Sequence, residues 1–315
     1  MQLRAAAVLG LARLRDAAWR TSLAPLLALL DLRLTQLIAG SDELRVPEAP
    51  VGSAPAVPDE KREALSAWPT SPLFGDAERV ALGFTEQFVI DVAGISPDQR
   101  SAVVRALGRE ALVTLAVAMF VLDYDLRARL AFERLSVGEP ERALDPGPGP
   151  AEEVEGRGPV DADVLLNDLD GFQRLVARLA GIDPVTTELV RLRGARHHNC
   201  RLCRSIRSRS AVGATGDEAW FDRTEYYESS DLPEPQKVAL RMTDALITQP
   251  TALDASLAAT LRAFYTDDQI VELVLDVVRN SSQKIAVALG ADDPHVATGT
   301  ELFDLAPDGT VVFLG

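Results

Sequence analysis

At 315 residues the chain is long enough for two domains of ordinary size, each with its own core. Apolar residues make up 47% and aromatics only 5%, so those cores are built from Ala, Leu and Val, a composition that favours helices. A formal charge of −15 excludes a general nucleic-acid binder, which needs a basic surface to neutralise phosphates, and no apolar run has the length of a bilayer span.

In chain order, Met1 to Ala12 is mildly apolar, but Arg13, Arg15, Asp16 and Arg20 follow at once and no small-residue cleavage pattern stands out. A cytoplasmic protein is therefore expected, and two cysteines without a disulfide framework agree with a reducing compartment. Arg45 to Pro58 carries four prolines and reads as a linker. Ala111 to Leu122 is long enough for a buried core helix. A second linker, 137–159, includes Asp145-Pro-Gly-Pro-Gly-Pro150 and the acidic Glu152, Glu153 and Glu155. It separates a first domain, 1–136, from a second, 160–295, with a tail at 296–315.

That boundary divides a repeat. Glu78-Arg-Val-Ala-Leu-Gly-Phe-Thr-Glu86 is similar to Gln236-Lys-Val-Ala-Leu-Arg-Met-Thr-Asp244, 158 residues later. At the same offset Glu110–Leu115 lies over Asp268–Leu273; at 157 Val121 and Ala131 lie over Val278 and Ala288; at 160 Leu32-Arg33 lies over Leu192-Arg193. Blocks kept in order at a nearly constant offset point to duplication. Only the second copy has cysteines; Gly40 and Glu43 stand opposite them in the first.

The second half reads as helices. Val160–Ala180 has apolar residues at helical spacing and ends at Gly181. Asp183-Pro184 suits an N-cap followed by proline in the first turn, opening a helix that carries Glu188 toward His198. A break near Asn199 puts Cys200 and Cys203 in the first turns of the next helix. Leu232–Gln249, Leu253–Phe264 and Asp267–Leu289 follow. At the end, Glu301–Leu305 and Thr310–Leu314 flank Ala306-Pro-Asp-Gly309, the signature of a small β-hairpin.

The chemistry centres on Cys200-Arg-Leu-Cys203. On a helix, residues i and i+3 share a face at a separation that accepts a disulfide. A helix N-terminus, with Arg201, Arg204 and Arg207 on the same helix, lowers a thiol pKa. Glu188, His197 and His198 are the nearby groups able to move a proton. Blander readings stand beside these. The cysteines can be two buried small hydrophobes. Zinc wants four ligands, and the chain has no second C-x-x-C to add to His197 or His198. Glu188 can be a solvated helix carboxylate or the i+3 partner of Arg191. The two histidines read first as surface or interface residues.

Glu188-Leu-Val-Arg-Leu-Arg193, eleven residues, then C-x-x-C, resembles the signature of the alkylhydroperoxidase D / carboxymuconolactone decarboxylase-like family. Leu65-Ser-Ala-Trp68, Ser71-Pro-Leu-Phe74 and Glu78–Leu82 in the first half resemble the segment that follows its cysteine helix. The likeness covers 160–290 well and 20–135 more loosely. It implies an all-α fold of two tandem alkylhydroperoxidase D-like helical domains, closed by the short hairpin. It also implies thiol-dependent reduction of a hydroperoxide, with Cys203 attacking, Cys200 resolving and Glu188 in the proton relay. Arg207 adds electrostatic support for the thiolate. The disulfide is then re-reduced by a dithiol or lipoylated protein. The resemblance implies a homo-oligomer; no cofactor, metal, nucleic-acid partner or membrane is expected. Two relay histidines of the family are replaced, by Leu202 and Arg207. Two alternatives stay open: a non-redox, decarboxylase-like lyase, and a redox-responsive scaffold with little turnover.

Overall fold

The computed structural model describes residues 2–39, 56–137 and 160–313. The 137–159 linker, apart from its first residue, and most of the Arg45–Pro58 stretch lie outside them. The architecture is all-α with a short C-terminal hairpin, as the composition and turn signals led one to expect. Fourteen α-helices are present among the described residues. The first half holds α1 (Gln2–Ala18), α2 (Ala24–Ile38), α3 (Asp59–Glu63), α4 (Asp76–Ile90), α5 (Pro97–Leu107) and α6 (Arg109–Arg134). The second holds α7 (Ala162–Ala177), α8 (Pro184–His197), α9 (Arg201–Arg204), α10 (Arg209–Thr215), α11 (Glu234–Thr248), α12 (Ala255–Arg262), α13 (Asp267–Ser281) and α14 (Lys284–Leu289).

Helix α6 is the axis of the molecule. Every residue from Leu115 to Ala128 is buried, so the helix is covered on all sides rather than along one stripe. It packs against α1, α5, α7, α13 and α14, and a single apolar core runs from Ala7 to Ala288 through both halves. Helix α1 lies mainly on α7, tying the start of the chain to the second half. A smaller cluster of Leu189, Leu192, Phe221, Tyr227 and Leu240 sits under α8 on the other side.

The helix signals act as their chemistry dictates. Asp183 accepts from the backbone N–H of Val185 and Thr186 at 3.0 Å each, with Pro184 in the first turn. The run 267–289, expected as one helix, is broken between α13 and α14. Ser282 Oγ donates to the Arg279 carbonyl at 2.7 Å, and such back-bonding by serine competes with helix propagation.

Strands β1 (Ile206–Ser208), β2 (Glu301–Leu305) and β3 (Val311–Phe313) form one sheet in that order. The hairpin β2–β3 is antiparallel, with Phe303 opposite Phe313. Its Gly309, at φ +87°, sits where a Cβ would collide with the Arg174 carbonyl of α7, so the turn seats tightly there. β1 pairs parallel to β2, Arg207 opposite Leu302. This strand corrects the expectation that Arg207 lies on the cysteine helix; Arg204, its last residue, does. The Arg191 guanidinium takes the Cys203 carbonyl through Nη1 and the Ile206 carbonyl through Nη2, both at 2.8 Å. Cys203 O is the acceptor that a continuing helix would offer to the N–H of residue 207. With it engaged by Arg191, the helix stops after one turn.

Candidate functional site

Helix α8 ends at His197, and Asn199 then takes a left-handed conformation, φ 50°, which asparagine tolerates better than most residues. The turn delivers Cys200 as the N-cap of α9, its Sγ accepting from the Cys203 N–H at 3.2 Å. Cys200 and Cys203 are joined by a disulfide, with Cα atoms 5.4 Å apart. The two sulfur-bearing residues differ in surroundings. Cys200 has no exposure, whereas Cys203 opens onto a cavity of about 410 Å³.

That cavity has three sides. Leu202 and Cys203 form one, Arg191 and Arg279 supply cations from α8 and α13, and Phe303 and Phe313 close it from the sheet. His295 stacks on Phe313 with ring centroids 3.9 Å apart and meets Glu301 Oε2 through Nδ1 at 2.5 Å. The hairpin is thus a wall of the cysteine cavity.

Glu188 is buried and locked. Arg191 grips both of its oxygens, Nη2 to Oε1 at 2.6 Å and Nε to Oε2 at 2.7 Å, and the Ser208 N–H donates to Oε1 at 3.2 Å. The i+3 ion pair weighed in the sequence is present, and it does more than neutralise charge. Through Arg191 the carboxylate fixes the carbonyls on either side of the α9 end, and so the Cys203 turn itself. Arg207 lies on β1, donates to the Arg204 and Ile206 carbonyls, and is not among the residues lining the Cys203 cavity. The arginines lining the sulfur's cavity are Arg174, which pairs with Asp170 and Asp308, and Arg191 and Arg279. The one sequence signal at Arg279 is its i−3 carboxylate, Asp276, on an amphipathic helix.

The N-terminus of α9 is already occupied. Asp292 Oδ2 accepts from the Arg201 N–H at 2.9 Å, its carbonyl accepts from Leu202 N–H at 3.0 Å, and its carboxylate also pairs with the Arg201 side chain. The positive end of that turn is therefore spent in part on a carboxylate rather than on sulfur.

The histidines lie elsewhere. His197 Nε2 meets Asp244 Oδ1 at 2.7 Å, an aspartate that also holds Arg193 and Tyr227. His198 is 4% exposed, a core residue where a surface or interface one was expected, and shares a 3.0 Å hydrogen bond with the Tyr124 hydroxyl. Burial, followed by Lys284, His197 and Arg127, holds its pKa well below the usual imidazole range.

One carboxyl beside the cysteine cavity is tuned toward neutrality. Asp276, a helical turn before Arg279, is pushed up to about 7 by burial, with Arg279 opposing and Glu272 adding to the rise. The folded state then holds more protons than the unfolded chain between the unfolded value near 3.8 and about 7, so this group costs stability as pH rises through that window. Heteronuclear NMR of the aspartate carboxyl carbons should find a resonance titrating near pH 7 that vanishes in Asp276→Asn; titration of the Asp276 carboxyl near 4 would refute the assignment.

No family model matches the chain, and no solved structure matches it. Two curated proteins of Mycobacterium tuberculosis do, the uncharacterized proteins MT2376 and Rv2313c. Each is 41% identical over 246 residues, 78% of this chain and 82% of the relative. At that identity and coverage, the chain belongs to the same family as these mycobacterial proteins.

Proposed function

We propose that the protein is a thiol-dependent oxidoreductase of the alkylhydroperoxidase D type, which reduces a hydroperoxide through Cys203 and Cys200. One observation carries this reading: the C-x-x-C pair is disulfide-bonded, and Cys203, the residue assigned the attack, is the cysteine that opens onto a cavity. In the reduced protein the Cys203 thiol attacks the terminal oxygen of the hydroperoxide. The O–O bond breaks, the alcohol leaves with a proton, and sulfur becomes a sulfenic acid. The Cys200 thiol then displaces hydroxide from that sulfur, which departs as water with the Cys200 proton, and the disulfide forms. A dithiol or lipoylated protein returns two electrons and two protons. In this reading Arg191 and Arg279, which line the cavity as Arg207 does not, support the thiolate. The reading carries with it a cytoplasmic homo-oligomer built on a tandem repeat.

A second reading, a redox-responsive protein with little turnover, is favoured by the state of Glu188. A carboxylate held by both oxygens and by a backbone N–H is poorly placed to relay a proton. Thiol titration of the reduced protein with one equivalent of a hydroperoxide separates the two. Loss of two thiols per chain at a rate well above that of a free cysteine, and its absence in Cys203→Ser, is the result expected. Thiols that stay inert would reject the oxidoreductase reading.

A further inference from the structure

A second cavity, of about 310 Å³, lies at the other end of α8 from Glu188 and has no part in the cysteine chemistry. Its lining comes from both halves, and in pairs. Leu37 and His197 are 160 residues apart, as are Ile38 and His198; Val89 and Ile247, like Ile90 and Thr248, are 158 apart. Arg127 and Lys284, also in the lining, are 157 apart. These are the offsets at which the sequence blocks repeat, so the cavity sits where the two copies face each other.

Its interior charge is unbalanced. Asp123, fully buried, accepts from Arg127 Nε at 2.5 Å and from Lys284 Nζ at 2.8 Å. Two cations, 2% and 3% exposed, thus share one carboxylate. Arg127 Nη1 is spent on the Leu246 and Ile247 carbonyls at 3.0 and 2.7 Å, and its Nη2 makes no hydrogen bond among the described residues. Among the described residues Lys284 makes one hydrogen bond for its three donors, its ammonium lying over the Phe88 and Tyr124 rings. His198 beside them adds no compensating charge, and the carboxylate of Asp91 stands at the exposed rim. A surplus buried positive charge is costly unless an anion joins it. The walls, by contrast, are aliphatic: Leu37, Ile38, Val89, Val92 and Ile247, with Ile90 72% exposed at the mouth.

We propose that this cavity is a binding site for a monocarboxylate with an aliphatic body, its headgroup on Arg127 and Lys284 and its chain against the isoleucine and valine walls. The site is independent of the thiols. A cationic floor under apolar walls selects against two simpler ligands. A bare carboxylate leaves the walls wet, and an uncharged alcohol leaves the extra cation unmatched.

Isothermal titration calorimetry with octanoate tests this on the full chain. One-to-one binding is expected, with acetate and octanol each weaker by about tenfold or more, a free-energy difference near 1.4 kcal/mol. Lys284→Met removes the surplus charge and should weaken octanoate by a similar factor. Ile90→Asp, a change at an exposed position that does not disturb the core, should do the same by placing a carboxylate at the mouth. The Cys200→Ser/Cys203→Ser protein should bind as the parent does, which separates this proposal from the oxidoreductase reading. Absence of octanoate binding at millimolar concentration, or binding equal in parent and Ile90→Asp, overturns it.

Discussion

Glu188→Ala is expected to destabilise the protein by about 3–5 kcal/mol, the range seen when one partner of a buried ion pair is removed and the other stays charged. The pair is largely buried, with Glu188 at 2% and Arg191 at 9% exposure, and the grip is bidentate. Alanine there leaves the guanidinium buried with only carbonyl partners, and leaves the Ser208 N–H without its acceptor. The loss should be local as well as global, because Arg191 is what stops α9 and orients the carbonyl of Cys203. Urea denaturation of parent and variant measures the first effect, and hydrogen exchange across 200–208 the second. Glu188→Leu combined with Arg191→Met should recover much of the stability, because a matched apolar pair avoids the buried charge altogether. A loss under about 1 kcal/mol in Glu188→Ala would place the pair with exposed ion pairs, against the burial seen.

What the sequence made legible follows from the range of the interactions involved. Asp183-Pro184, the apolar spacing of 160–180 and the break at Asn199 are local signals, and each appears where a local rule puts it. The C-terminal hairpin was legible for the same reason, since Pro-Asp-Gly turns the chain back within a few residues. β1 was not. Three residues, Ile206–Ser208, have no turn of their own, and their partner β2 begins at Glu301, so nothing near them in sequence says strand. The same distance hid Asp292 at the start of α9 and the placement of Arg207 away from the sulfur's cavity. C-x-x-C identified the two thiols; only the fold tells which of them meets a cavity, and that Arg279 rather than Arg207 lies beside it. His198 illustrates the limit most plainly. A histidine pair next to cysteines draws attention as a base or a ligand, yet its ring partner is Tyr124, 74 residues earlier on α6.

Asp123→Ala should have the larger effect of the two core substitutions, about 4–5 kcal/mol or more, because it strands two cations where the loss of one is already worth about 3–5. Asp123 has no exposure, and its two oxygens are divided between Arg127 and Lys284. Burial by itself raises the carboxyl pKa, yet Arg127 and Lys284 together outweigh it and hold the group below its ordinary 3.8. The sign of the pH dependence follows. A carboxyl depressed on folding contributes stability that is fully present above the unfolded value and is lost as pH falls through the folded one. In the parent, this cluster therefore supports the fold at neutral pH and gives way only in acid below about 3.8. Asp123→Asn keeps the shape and removes the charge, so its deficit against the parent should be largest at neutral pH and shrink in strong acid. Lys284→Met added to Asp123→Asn should cost less than Lys284→Met alone adds to the parent, since the lysine then has no carboxylate to lose; double-mutant cycles by urea denaturation read that difference directly. A deficit for Asp123→Asn that does not change with pH would mean that the carboxylate acts there through shape, with its charge already neutralised by other means.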